Sequence, residues 1–287
     1  MTQTTRLALV LGGGGIAGIA WETGFLLGVQ DEQPATARFL LAADLLLGTS
    51  AGSTVAAQLS SGVSLEELFA RQLAPNAHEI EPRVALEDLM ELFEDVVANT
   101  GLSSVARLHE VGRHAVAAET VAEDARRAVI AARLPSHTWP DRRLVVTAID
   151  VESGELVLLD KNSGVSLVDA VAASCAVPGV WPPVTIGTRR FMDGGVGSTA
   201  NVAAATDIDA VILLAPMREP GVFGRTLADE LAEFAGPTLA LFADDTSIAA
   251  FGANVLSPAC RPPSATAGRE QGRRQAHDIA AFLETLG

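Results

Sequence analysis

Short apolar runs alternate with longer mixed segments along the chain, a rhythm that predicts buried strands covered by helices. Residues 6–11 (RLALVL) form an apolar run ending in glycine and read as a buried parallel strand. Four glycines follow, then a helix-like stretch over 16–29 in which Ile19, Phe25 and Leu26 share a face, with Trp21 beside them. A second strand over 44–47 runs through a sharp turn into a helix built on Ala51, Val55, Ala56 and Leu59. A strand–glycine loop–helix unit so early in the chain implies a doubly wound sheet.

From about residue 64 to 134 the sequence becomes charged and helix-forming, with no obvious strands. Ser64-Leu65-Glu66-Glu67 and Pro82 look like helix starts, and Leu86, Leu89, Met90 and Phe93 recur at helical spacing. This segment predicts a helical cover on the sheet, with a lid over a site as the alternative use. Strand character returns at 143–151 and 155–160, joined as a hairpin at Glu152-Ser153-Gly154. A helix over 165–176, one strand over 185–192 and a buried strand over 210–215 follow. Helices are expected over 226–235 and 238–251, a last strand over 254–257, and a closing helix over 267–286. No repeat or linker interrupts the pattern. It predicts a single domain, residues 1–287, of the α/β class: three layers, αβα, with a mostly parallel central sheet.

Composition narrows the function classes. Hydrophobic residues make up 48% of the 287 positions and charged residues 19%, which suits a large buried core and excludes disorder. A net charge of −15 argues against a nucleic-acid partner and against electrostatic docking on an anionic membrane. Apolar, peripheral contact with lipid stays open. Cys175 and Cys260 make neither a disulfide framework nor a metal site, and they fit a reducing, cytoplasmic interior. The polar start shows no signal-peptide pattern. Two uncharged spans, 45–65 and 170–188, are too diluted by polar residues or broken by prolines to read as membrane helices. No cofactor is expected. Asp244-Asp245 reads as a solvated helix end and lacks ligand spacing, so no metal is expected either.

Three pieces carry candidate chemistry. Gly48 and Gly52 flank Ser50 in the G-x-S-x-G spacing, where a tight strand-to-helix turn needs bulk-free neighbours and exposes the serine oxygen beside a helix N-terminus. Gly12, Gly13, Gly14 and Gly15 aim bare N–H groups at a common point, a nest that serves an oxyanion as readily as a phosphate. Asp193 ends a strand-like run and is followed by Gly194 and Gly195, which permit close approach to its carboxylate. The run from Gly13 to Gly18 also fits G-x-G-x-x-G. A dinucleotide site, however, wants an acidic residue at the end of the second strand, and Asp44 stands at its start.

The order of these pieces resembles the patatin-like phospholipase family, whose members carry a glycine-rich oxyanion loop, a G-x-S-x-G nucleophile and a D-G-[GA] aspartate. The matching stretches are Gly12 to Gly18, Gly48 to Gly52 and Asp193 to Gly195. The small-residue, proline-rich block Ala173-Ser174-Cys175-Ala176-Val177-Pro178-Gly179-Val180-Trp181-Pro182-Pro183 also resembles the family's block ahead of the aspartate. The resemblance implies a lipid acyl hydrolase working through a Ser–Asp dyad, with Asp193 as general base on Ser50 and N–H groups of Gly13, Gly14 and Gly15 holding the oxyanion. The cover segment would then form part of an acyl-chain channel. The family's loop usually carries Arg or Lys where this chain has Ala17.

Other readings remain beside it. Ser50, Asp193 and His277 follow the order of a Ser–Asp–His triad, although His277 sits in a polar run of the closing helix. His78, His109, His114 and His137 read as surface residues. An acyltransferase would use the same serine, and a non-enzymatic anion or nucleotide binder would use the glycine nest alone.

Overall fold

A computed structural model describes residues 5–75, 78–82, 96, 98, 99, 101–218 and 226–287. The predicted helix starting at Pro82, with Leu86, Leu89, Met90 and Phe93, falls on residues 83–95, outside the described ones.

Eight strands form one mixed, mostly parallel sheet with helices on its faces. Parallel pairing joins β1 (Leu7–Leu11), β2 (Leu45–Thr49), β3 (Arg143–Asp150), β7 (Ala210–Ala215) and β8 (Thr238–Phe242). The hydrogen-bonded path runs β5–β6–β3–β2–β1–β7–β8, where β5 is Val184–Ile186 and β6 is Arg189–Asp193. The hairpin partner β4 (Leu156–Leu159) pairs antiparallel with β3. β1, β2 and β7 are buried along their whole length, as expected of parallel strands covered on both faces.

The register explains how distant residues meet. Residues 146–147 of β3 pair with both β2 and β4, so those two strands lie on opposite edges of β3. Residues 148–149 pair with both β4 and β6, so β6 lies opposite β4, on the edge that β2 uses. β2 ends where Thr49 pairs with Thr147, and β6 ends where Asp193 pairs with the next residue, Ala148. The two strands thus arrive head to head, and the residue after Thr49 is Ser50.

Helix α1 (Gly15–Glu32) is buried on every side from Ile16 to Val29, because α10 (Arg261–Glu284) lies directly against it. Glycines make that closeness possible: a Cβ on Gly24 would lie 2.1 Å from the Ala265 carbonyl oxygen, and one on Gly272 would lie 2.0 Å from that of Phe25. The helix after Ser50 is α3 (Ala51–Leu59), with α2 (Pro34–Leu41) before it. In the predicted cover segment stand α4 (Leu65–Leu73), α5 (Ser104–Ala117) and α6 (Glu123–Arg133). Ser64 and Ser103 cap the first two, each accepting an N–H three residues on. Leu108 and Val111 of α5 pack with Ile149, Val151, Trp181 and Met192.

Four expectations are corrected. The single strand over 185–192 is a hairpin, split by Gly187 at φ 62°, a conformation glycine adopts without cost. The helix over 238–251 begins as β8, because Thr238–Phe242 completes the edge of β7; only then does Asp244 cap α9 (Asp245–Phe251) through Ser247 N–H. Residues 254–257 form a turn, with the Asn254 side chain accepting Leu256 N–H at 3.0 Å and Val255 C=O accepting Ala17 N–H at 3.0 Å. The closing helix begins at Arg261, its first turn accommodating Pro262 and Pro263 without losing bonds that a first turn lacks anyway. The remaining helices are α7 (Leu167–Ser174) and α8 (Leu227–Glu233).

Candidate active site

The turn between β2 and α3 is strained. Ser50 adopts φ 52°, ψ −115°, a region that costs a non-glycine residue about 1–3 kcal/mol. Its neighbours leave no room for side chains: a Cβ on Gly48 would sit 2.5 Å from Ser53 Cα, and one on Gly52 2.1 Å from the Leu11 carbonyl oxygen. Bonds from all sides offset the strain. Ser50 N–H donates to Ser174 Oγ at 2.9 Å, and the Ser50 carbonyl accepts from Ser53 Oγ at 2.6 Å and Cys175 Sγ at 3.2 Å. Cys175 is therefore a packed donor, and burial pushes its thiol up from the ordinary value.

Ser50 Oγ donates to Asp193 Oδ2 at 2.7 Å. The other carboxylate oxygen accepts Gly195 N–H at 2.7 Å, and the Asp193 backbone N–H is held by Ala176 C=O at 3.0 Å. Gly194 is small by necessity, since a Cβ there would lie 2.4 Å from Thr147 Oγ1. Burial of Asp193 pushes its carboxyl up to about 7, opposed by the bonds from Ser50 and Gly195 and by the charge of Arg126. A carboxylate poised near neutrality beside a serine hydroxyl has the ionisation range a general base needs.

The glycine loop meets this pair from β1. A Cβ on Gly13 would lie 3.5 Å from Ser50 Cβ, and Gly52 N–H donates to Gly12 C=O at 2.9 Å, locking loop to elbow. The N–H groups divide in two. Gly12 N–H is spent on Leu214 C=O at 2.9 Å and Gly13 N–H on Thr199 C=O at 2.7 Å, which corrects the expectation that Gly13 is a free donor. Gly14 and Gly15 N–H have no acceptor among the described residues, at the positive end of α1. Gly18 lets α1 pass Pro216 and Ala51. Ala17 is fully buried, so its methyl group belongs to the core and not to the site.

Residues missed in the sequence complete the frame. Asn201, at φ 53°, donates from Nδ2 to Ser198 C=O at 2.9 Å and Thr49 Oγ1 at 3.1 Å, and Thr49 and Thr147 hydroxyls pair at 2.8 Å. Ser174 was visible within the small-residue block, but its bond to the elbow is a tertiary fact. His277 is not part of the site. It is exposed on α10 and bonded to Gln33, which follows the far end of α1, a helix about 27 Å long whose near end carries the glycine loop. Asp44 accepts Leu7 N–H at 2.8 Å, a structural use that leaves the ribose-binding role empty. An open cavity of about 190 Å³ beside Ile16, Gln58 and Arg133 is not lined by Ser50 or Asp193. Among the described residues no group of three or more metal-binding side chains gathers, and no helix is long and apolar enough to cross a membrane.

Comparison with known proteins gives one family. The family described as patatin-like phospholipase matches residues 9–206, about two-thirds of the chain. No curated protein sequence matches. Among solved structures, VipD from Legionella pneumophila aligns with TM-score 0.48 at 12% identity, covering 96% of this chain and 67% of that one. ExoU in its complex with SpcU from Pseudomonas aeruginosa aligns with TM-score 0.44 at 19% identity, covering 99% of this chain and 52% of that one. The chain thus spans about half the length of ExoU.

Proposed function

The chain belongs to the patatin-like phospholipase family, a family of lipid ester hydrolases, and on that premise we propose that it cleaves lipid acyl esters through a Ser50–Asp193 dyad. The observation that carries the reading is the 2.7 Å bond from a strained serine to a buried carboxylate, with no described histidine in it.

Asp193 Oδ2 takes the Ser50 proton as Oγ attacks the ester carbonyl carbon. The carbonyl π electrons move onto oxygen, and that oxyanion accepts the Gly14 and Gly15 N–H groups, each donor lowering the barrier by about 3 kcal/mol. Collapse expels the alcohol, which carries away the proton held by Asp193. Water then attacks the acyl-enzyme, giving its proton to Asp193, and collapse frees the fatty acid as Ser50 recovers its proton. The positive φ of Ser50 keeps Oγ in place throughout, so little reorganisation is needed at the moment of attack.

We also place the protein in the cytoplasm, meeting lipid as a peripheral partner.

The test is hydrolysis of p-nitrophenyl esters of graded chain length by wild type, Ser50→Ala, Asp193→Asn and His277→Ala. Activity should vanish in the first two variants and persist in the third. Loss in His277→Ala with an intact fold sinks the dyad. Turnover accelerated by an added alcohol or thiol, with transfer outrunning hydrolysis, would make it an acyltransferase.

A further inference from the structure

Three buried hydrogen-bond donors near Asp193 have no use in this mechanism. Arg126 of α6 is 5% exposed, yet its Nε and Nη1 have no acceptor among the described residues. Its guanidinium stacks 3.9 Å from the centre of the Trp181 ring, and the indole Nε1, itself buried, also lacks an acceptor. Stranding one buried polar group is costly and stranding a charge more so, because the guanidinium stays ionised at neutral pH. Native interiors seldom leave such groups unmatched without a functional reason.

The surroundings place this cluster at the site. Trp181 closes the segment whose Ser174 Oγ accepts Ser50 N–H and whose Ala176 carbonyl accepts Asp193 N–H. Burial and the like charge of Arg133 act against the Arg126 cation, while the carboxylates of Glu79 and Asp193 favour it. Glu79 is already committed: both its oxygens accept from Arg133, at 2.8 and 2.7 Å. Each Asp193 oxygen already accepts one bond, from Ser50 and from Gly195, and neither is bonded to Arg126. Buried donors with no acceptor among the described residues, two of them on one guanidinium, suit an oxyanion brought by a ligand.

We propose that Arg126, backed by Trp181, binds the phosphate of a phospholipid whose acyl ester lies at Ser50. This rests on the reading that Ser50 cleaves lipid esters. Glycerol links ester and phosphate through a few bonds, so the two groups reach neighbouring subsites, and a guanidinium presents its donors as a fork matched to phosphate oxygens. The stacked indole fixes the plane of that fork and supplies a further donor. Arg126 is thereby a specificity residue: it sets the preference for a phospholipid over a neutral glyceride with the same acyl chains.

The test compares kcat/KM of wild type and Arg126→Met on dihexanoylphosphatidylcholine and on dihexanoylglycerol, both as monomers. The ratio of phospholipid to glyceride activity should fall roughly 10- to 100-fold, the loss of a charged hydrogen-bonding partner, and Arg126→Lys should recover part of it. A ratio within about twofold of wild type, in a variant that melts cooperatively, overturns the proposal. Should Arg126→Met not fold, Trp181→Phe, which removes one donor and keeps a ring under Arg126, should still lower the ratio. Calorimetry separates this idea from the hydrolase reading. Ser50→Ala should bind the phospholipid at least about ten times more tightly than Ser50→Ala/Arg126→Met. If that holds while wild type hydrolyses nothing, the subsite stands and the hydrolase reading falls. Binding of inorganic phosphate without binding of the phospholipid would overturn the head-group assignment.

Discussion

Asp193→Asn should exchange activity for stability, and the exchange should depend on pH. Holding the carboxyl in a buried setting moves it from 3.8 to about 7, so the ionised form costs the folded protein about 4 kcal/mol. Below 3.8 the aspartate is protonated in both folded and unfolded chains and nothing is lost. Between 3.8 and about 7 the unfolded chain ionises first, so stability falls as pH rises; above about 7 the whole cost is present. Asparagine has the same shape, carries no charge at any pH, and still accepts the Gly195 N–H. Urea unfolding should therefore show the variant about equal to wild type near pH 4 and roughly 2–4 kcal/mol more stable near pH 8. Ester hydrolysis by the same preparation should drop by about two to four orders of magnitude, and wild-type kcat/KM should rise with pH around a midpoint of about 7. A stability difference that does not change with pH, or a variant less stable than wild type near pH 8, would refute the idea that Asp193 is a buried base held charged for reaction.

Three further outcomes follow from buried features elsewhere. Glu22 is fully buried behind the glycine loop, and the nearby Gly12 N–H is spent on Leu214 C=O, so burial raises its carboxyl well above the ordinary range. Glu22→Gln should gain stability over wild type as pH rises above the ordinary carboxylate range, by up to about 1.4 kcal/mol per pH unit, measured by urea unfolding. Glu79→Gln strands the buried Arg133 guanidinium and should cost about 3–5 kcal/mol, whereas a loss under about 1 kcal/mol would mean that the pair is solvated. Gly272→Ala pushes a methyl group to 2.0 Å from the Phe25 carbonyl oxygen, so α1 and α10 must separate; calorimetry should show a melting point several degrees lower, for a loss of about 1–3 kcal/mol.

The parts of the site legible in the sequence are those where the backbone itself is constrained. Gly48, Gly52 and Gly194 can be anticipated because any side chain collides with main chain or with a neighbouring strand, and such positions mark themselves by residue type. β1, β2 and β7 are equally plain, since strands buried on both faces must be continuously apolar. Residues 238–242 (TLALF) misled because leucine and alanine suit a helix; the exposed edge of β7 decides the matter, and local preference does not encode it. The hairpin at Gly187 was hidden within what read as one strand. The family resemblance implies a donor at Gly13, and only the position of the Thr199 carbonyl shows its N–H to be spent. The roles of Ser174, Asn201 and Arg126 are not legible in the sequence for a related reason: each faces a partner more than fifty residues away.

The central claim is that Ser50 Oγ is a nucleophile activated by Asp193, and its most direct test is covalent capture. Wild type should be incubated with a fluorophosphonate probe, digested, and the modified peptide sequenced by mass spectrometry. One adduct per chain is predicted, on Ser50, absent in Ser50→Ala and formed far more slowly in Asp193→Asn. Failure to label, labelling at another residue, or an undiminished rate in Asp193→Asn would contradict the account.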